Sequence, residues 1–219
     1  MKASKHFQKR LQYYWIEKIY TELAVFFFPV LDKTPITPNM ITVLNMINGL
    51  CTFYAVWTKQ YALAAVLIQV YLFLDIVDGN LARYKNMTSE LGKNLDTVCD
   101  IVFYNLFFIL LGVSIQIHWI WIILYEIIFN LYGWTATNII VPRIRKLKEF
   151  KRRGLKKYLF DHGILLGMET GMQDVLTTIL LFTPYKHWIF YSIIILYCLD
   201  LLYRFYELRY NEALELNSY

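Results

Sequence analysis

The chain has 219 residues, of which 58% are hydrophobic and only 18% charged, with a formal net charge of +5. Ordinary globular domains are roughly 45–50% apolar and about 25% charged, so the balance argues against a soluble domain and for a membrane protein. Three cysteines, Cys51, Cys99 and Cys198, lie far apart in apolar segments. That spacing excludes a disulfide framework and a zinc site of the CxxC kind, and predicts buried, reduced thiols.

At the N-terminus, Lys2, Lys5, Lys9 and Arg10 are not followed by a short apolar core with a small-residue cleavage site, so the segment does not read as a cleaved signal peptide. The basic, aromatic "FQKRLQYYWIEKIY" and the short apolar "TELAVFFFPVLDK", broken by Pro29, predict an interfacial amphipathic helix within residues 1–37. A helix packed on the membrane spans fits the same pattern. A crossing helix takes roughly 20 mostly apolar residues. Windows of that kind run over 39–57, 61–82, 95–115, 119–140, 164–183 and 187–205. The fifth is interrupted by Glu169, Gln173 and Asp174. The expected fold is an all-α membrane protein with six transmembrane helices. One domain is expected to cover 1–219, with its membrane core at 38–205 and a cytoplasmic tail at 206–219.

Charge supports that arrangement. Lys and Arg concentrate on the cytoplasmic side of membrane proteins. Six spans place 20 of the 22 basic residues on one side with both termini, leaving only Lys59 and Lys186 opposite. The reading is a multi-pass protein of the cell membrane with both ends in the cytoplasm. The run "PRIRKLKEFKRRGLKKY" then reads as a loop beside anionic headgroups rather than a nucleic-acid patch.

Four carboxylates interrupt this apolar pattern: Asp75, Asp78, Asp96 and Asp100. A charge at the bilayer centre costs about 2.5–3.5 kcal/mol on insertion scales, but these fall at the cytoplasmic ends of the second and third spans. Their spacings of three and four residues put each pair on one helix face. Like charges brought together there would repel unless divalent cations hold them ionised. Oxygen-only ligands suit Mg²⁺ or Mn²⁺ before zinc. Gly79 and Ala82 continue the first face, and Gly92 lies one turn before Asp96. Their small side chains leave room for a bulky polar ligand or for close helix contact. Arg83 could meet a phosphate as a charged fork or snorkel to the interface. Carboxylates, a divalent metal, a small-residue gap and an arginine together point to phosphoryl transfer.

The full spacing is D-x2-D-G-x2-A-R-x8-G-x3-D-x3-D, from Asp75 to Asp100. It resembles the signature of the CDP-alcohol phosphotransferase family of integral membrane enzymes. The resemblance extends to "TPNMIT", with Pro38, Asn39 and Thr42 opening the first span, so it covers about residues 37–100. It implies transfer of a substituted phosphate from a CDP-linked donor to an alcohol, with release of CMP, at the cytoplasmic face. It also implies two divalent cations held by Asp75, Asp78, Asp96 and Asp100, with Asp100 doubling as the general base. The CDP moiety would lie against Gly79, Ala82 and Arg83, with Gly92, Asn39 and Thr42 in its surroundings. Donor, acceptor or both carry a lipid, and the reading admits a homodimer. The acceptor alcohol stays open, as does whether the lipid sits on donor or acceptor.

Some positions carry a second reading. Asn39 serves equally as a helix cap or a nucleotide contact, whereas Asn45 and Asn48 are expected to bond between helices. Glu169 and Asp174 read as acceptor-site acids, as helix-end groups or as members of polar pairs. Asp200 and Arg204, four apart, read as a structural pair. The competing class is a cation transporter or channel that uses the aspartates as an ion site. Spans two and three, however, are almost wholly apolar beyond their cytoplasmic ends.

Overall fold

The computed structural model describes residues 13–147 and 149–216. Lys2, Lys5, Lys9, Arg10 and the start of the expected interfacial segment lie outside the described residues, as does the end of the expected tail. Helix α1 (Trp15–Leu31) buries Ile16, Ala24 and Phe28, and turns Ile19, Leu23, Phe26 and Val30 outward. Its inner face meets Leu72, Ile76, Val77 and Leu81, so the packed alternative holds for that face. Pro29 lies in the last turn, where its missing N–H removes one backbone bond, and the helix stops two residues later.

Helix α2 (Pro38–Trp57) opens on Thr37, whose hydroxyl accepts the Met40 N–H at 3.3 Å. Pro38 suits the first turn because its absent donor would have had no helical partner there. A short turn leads into α3 (Tyr61–Tyr84), and the two helices pack through the fully buried Ala55, Ala64 and Ala65. The amides of Asn45 and Asn48 donate to the carbonyls of Tyr71 and Leu67 at 3.1 and 3.0 Å, the expected bonds between helices. Lys85, just past α3, donates to the carbonyls of Leu31, Thr34 and Ile36 at 2.9, 3.2 and 2.9 Å. One ammonium therefore ties the end of α1 and the approach to α2 to the end of α3.

Ser89 caps α4 (Glu90–Ser114) by accepting the Gly92 N–H at 3.0 Å. Helix α5 (Trp119–Thr135) runs through a π turn at Ala136–Ile140 into α6 (Val141–Lys146). Pro142 sits just beyond that turn and has no N–H to offer the regular helical ladder. Then come α7 (Gly154–Asp161), α8 (Thr170–Leu181) and α9 (Trp188–Leu216). Beside the helices, β1 (Tyr13–Tyr14) pairs in parallel with β2 (Ile164–Leu165). The core between α4, α5 and α9 is aromatic, with Phe107, Phe108, Tyr125 and Phe190 almost wholly buried.

Among the described residues, α2, α3, α4 and α9 are each long and apolar enough to cross a membrane. Their outer faces stay apolar: Leu44, Ile47 and Leu50 on α2, and Leu199 and Leu202 on α9, are exposed. Such a surface would aggregate in water and is at home against acyl chains, so this is a membrane protein. Cys51 and Cys198 belong to that outer surface and Cys99 is half-buried; all three are free. The expectation of buried thiols is thus corrected, because an apolar neighbourhood in sequence here means a lipid-facing one.

The fifth apolar window, 164–183, is helical only over Thr170–Leu181. Its first residues pair as β2, after Gly163 with a φ of 77°. The inner face of α8 is polar: Gln173, Asp174 and Thr177 are fully buried. Tyr104 donates to Asp174 at 2.8 Å, and Tyr125 and Tyr197 both donate to the Gln173 carbonyl oxygen at 3.1 and 3.0 Å. On α9 the expected pair forms, with Arg204 Nε 2.6 Å from Asp200 Oδ2, and Tyr132 donates to the same oxygen at 2.6 Å. The helix continues to Leu216, through most of the stretch read as a tail.

Candidate active site

The ends of three helices meet around a cavity of about 530 Å³. The first turns of α2 supply Pro38, Asn39 and Thr42, and the last turns of α3 supply Asp78, Gly79, Ala82 and Arg83. Helix α4 adds Gly92, Lys93 and Asp96. The Lys85 clasp ties the approach to α2 to the end of α3, and Gly92 lets the capped start of α4 lie close to Asn39 of α2.

Asp75, Asp78 and Asp96 each offer a carboxylate oxygen, and these oxygens all lie within 4.8 Å of one another. Three hard anionic donors so close fit a divalent cation of the Mg²⁺ or Mn²⁺ type, since without one their repulsion would be uncompensated. Asp78 is only 4% exposed, and Thr42 donates to its Oδ2 at 2.7 Å. That bond leaves Asp78 one oxygen already ordered. Thr42, expected near the nucleotide, therefore lines the cavity and also steadies a motif carboxylate.

Asp100 stands outside this three-carboxylate group. Its Oδ1 accepts instead from the Tyr71 hydroxyl at 3.1 Å. Tyr71 was missed in the sequence, where a tyrosine in an apolar run reads as core. The available signal was its place one turn before Asp75, on the same face of α3.

The two glycines part company. A Cβ at Gly79 would meet only Arg83 Nη1 at 3.9 Å, so its missing side chain leaves open space in the cavity. A Cβ at Gly92 would meet Ser89 Oγ at 3.0 Å and Asn39 Oδ1 at 3.3 Å. There the absent side chain lets the Ser89 cap and the start of α2 come close. Asn39 is not the cap of α2, a role that Thr37 takes; its amide borders the cavity beside Gly92. Arg83 donates to Asn80 Oδ1 at 2.9 Å, and the Asn80 amide is anchored to the Ile76 carbonyl at 2.6 Å. Asn80 was also missed, and it anchors one edge of the guanidinium that lines the cavity. Lys93 adds a second cation to the lining.

The sequence pattern of the CDP-alcohol phosphatidyltransferase family matches residues 35–206. The chain is 35% identical to the archaetidylinositol phosphate synthase of Pyrococcus horikoshii over 65 residues, 30% of this chain and 35% of that one. It is 32% identical to the CDP-diacylglycerol–serine O-phosphatidyltransferase of Bacillus subtilis over 81 residues, 37% of this chain and 46% of the relative. With cholinephosphotransferase 1 of Xenopus laevis the identity is 35% over 102 residues, 38% of this chain and 25% of that one. The matches thus span less than half the length of each of these relatives. The fold is similar to that of the Mycobacterium tuberculosis phosphatidylinositol phosphate synthase solved with CDP-DAG bound. The TM-score is 0.55 at 15% identity, covering 87% of this chain and 94% of that one. The family pattern takes in all three helix ends that form the cavity and continues into α9, and on that extent the chain belongs to the CDP-alcohol phosphatidyltransferase family.

Proposed function

We propose that this chain transfers a substituted phosphate from a CDP-linked donor to the hydroxyl of an alcohol, releasing CMP and forming a phosphodiester. The observation that carries the reading is the convergence of Asp75, Asp78 and Asp96 beside a cavity lined by Gly79, Ala82 and Arg83. Asp75, Asp78 and Asp96 would hold Mg²⁺ or Mn²⁺, with Asp100 completing the set of a second ion. Bound divalent ions supply neutralisation of the pyrophosphate and stabilisation of the CMP leaving group. The open side of Gly79 and Ala82 receives the nucleotide, and Arg83 and Lys93 offer donors to its phosphates. Asp100 takes the proton of the attacking hydroxyl as the new P–O bond forms and the bond to CMP breaks.

Residues 38–205 are read as a single six-span membrane core, with α5 and its π-turn extension and α8 completing the four long helices. Helix α1 lies at the headgroup level with Phe26 and Phe27 toward lipid. Both termini and the aspartates lie on the cytoplasmic side, where a lipid and a water-soluble partner can meet. The chemistry of the donor, CDP-diacylglycerol or a CDP-linked head group, is left to assay.

Purified protein in detergent or vesicles, given both donor classes and a panel of alcohols, is expected to release CMP only with Mg²⁺ or Mn²⁺. Turnover that persists in excess chelator would sink the metal-dependent reading. Cation uptake by vesicles with no CMP from any donor would favour transport instead.

A further inference from the structure

We propose that Tyr71 is a positioning residue for Asp100, holding one carboxylate oxygen so that the other faces the acceptor hydroxyl. The inference rests on the phosphotransferase reading above and assigns a role to a residue outside its motif. Tyr71 sits on α3, only 2% exposed, and its hydroxyl donates across to Asp100 Oδ1 on α4 at 3.1 Å. The ring is held from several sides. It stacks on Phe103 of α4, with ring centroids 3.5 Å apart and planes 6° from parallel. Its backbone carbonyl accepts the Asn45 amide of α2 at 3.1 Å. A Cβ on Gly49 of α2 would lie 3.5 Å from the ring and 3.2 Å from Phe103. Three helices therefore fix a hydroxyl whose hydrogen-bond partner is the aspartate outside the three-carboxylate group.

Packing alone would be served by phenylalanine. A buried hydroxyl needs a partner, and this one is spent on the candidate base. A neutral hydroxyl bonded to one oxygen restrains rotation of the carboxylate about its last bond and leaves the second oxygen available. Misplacement of a reacting group by about 1 Å can cost on the order of 10²-fold in rate.

The test is Tyr71→Phe in the full chain, compared with Asp100→Asn and with the double variant. Tyr71→Phe keeps the ring and its stack, so folding is checked by an unchanged melting temperature and elution profile. The expected result is a fall in kcat of about 10- to 100-fold, with the KM for the CDP donor and the Mg²⁺ midpoint within twofold of wild type. The double variant should be no slower than Asp100→Asn alone, because a residue that acts through Asp100 has nothing left to position. Turnover in Tyr71→Phe within twofold of wild type, parallel loss of donor binding, or effects that multiply in the double variant would each overturn the proposal. Absence of CMP release by the wild-type protein would instead overturn the phosphotransferase reading beneath it.

Discussion

At the scale of single residues, the four motif aspartates divide by their surroundings rather than by their sequence. Asp78 is buried, ordered by Thr42, and placed with Asp75 and Asp96, whereas Asp100 answers to Tyr71. Asp78→Asn is therefore expected to weaken Mg²⁺ and donor binding together. Asp100→Asn, which keeps its size but removes the proton acceptor, should still bind donor while turnover falls by about 10² to 10⁴. Titration of a CDP-linked donor beside CMP-release rates separates the two, and equal loss of donor binding would make Asp100 a metal ligand first. The glycines give a second contrast. Gly79→Ala meets open space, so the usual helix gain of about 0.5–1 kcal/mol should raise the melting temperature. It should also raise the donor KM, because the added methyl enters the cavity. Gly92→Ala crowds Ser89 Oγ and should lose that gain, since the hydroxyl must leave the cap bond, worth about 1 kcal/mol. Equal stabilisation by both substitutions would mean that the cap yields freely. Spacing alone could place both glycines near the aspartates, but not divide open space from close contact, because that depends on where the Ser89 cap turns its hydroxyl and on Asn39 arriving from α2.

At the scale of elements, the site depends on where three helix ends are held, and Lys85 is the main fastener. Its ammonium serves the last carbonyl of α1 and two more that lead into α2. Lys85→Met keeps most of the stem and leaves those acceptors without their charged donor. Hydrogen bonds to charged groups contribute about 1.5–3 kcal/mol each at most sites, so a clear drop in melting temperature is expected. Faster proteolysis between residues 32 and 37 should accompany it, and the donor KM should rise because Pro38, Asn39 and Thr42 begin the next helix. Unchanged values for all three would show that the loop is held by its own turns. The helices themselves were largely legible. The first two windows, 39–57 and 61–82, coincide closely with α2 and α3, because their apolar runs end at strong signals such as the Thr37–Pro38 start. The fifth window was legible only in part, since hydropathy weighs Ile164 and Leu165 as membrane residues while backbone pairing with Tyr13 and Tyr14 takes them out of the helix. Nor does the sequence reveal that Asp174 and Gln173 are held by tyrosines from α4, α5 and α9. Those bonds join residues 24 to 70 positions apart.

At the scale of the whole molecule, helix length, burial and charge bear on how many helices cross the bilayer and which way they point. Four helices have the length and hydropathy to do so unaided. Helix α5 has 17 residues, but the π turn and α6 continue the same helical path into the basic residues Arg143, Arg145 and Lys146. Helix α8 has only 12 residues and hides its polar face against aromatic neighbours, so it can sit at membrane depth without showing carboxylates to lipid. Both features allow six crossings, and the charge asymmetry predicts their direction. Lys59 follows α2, Lys186 precedes α9, and the remaining basic residues fall at the opposite ends or in the connections there. Single cysteines at positions 59, 186 and 151 should be placed in a background with Cys51, Cys99 and Cys198 replaced by serine. With an impermeant thiol reagent on intact cells, positions 59 and 186 are expected to label, and position 151 only after the membrane is opened. Labelling of position 151 together with 59 would mean an even number of crossings between the α2–α3 turn and the basic stretch, instead of the three made by α3, α4 and α5. Labelling of 59 but not 186 would mean that the segment containing α8 does not complete a crossing. The first result, with α5 as the helix that fails to span, would also separate the aspartate site from the basic stretch, because Asp96 and Arg143 share a side when α4 and α5 both cross; the second would leave the two together.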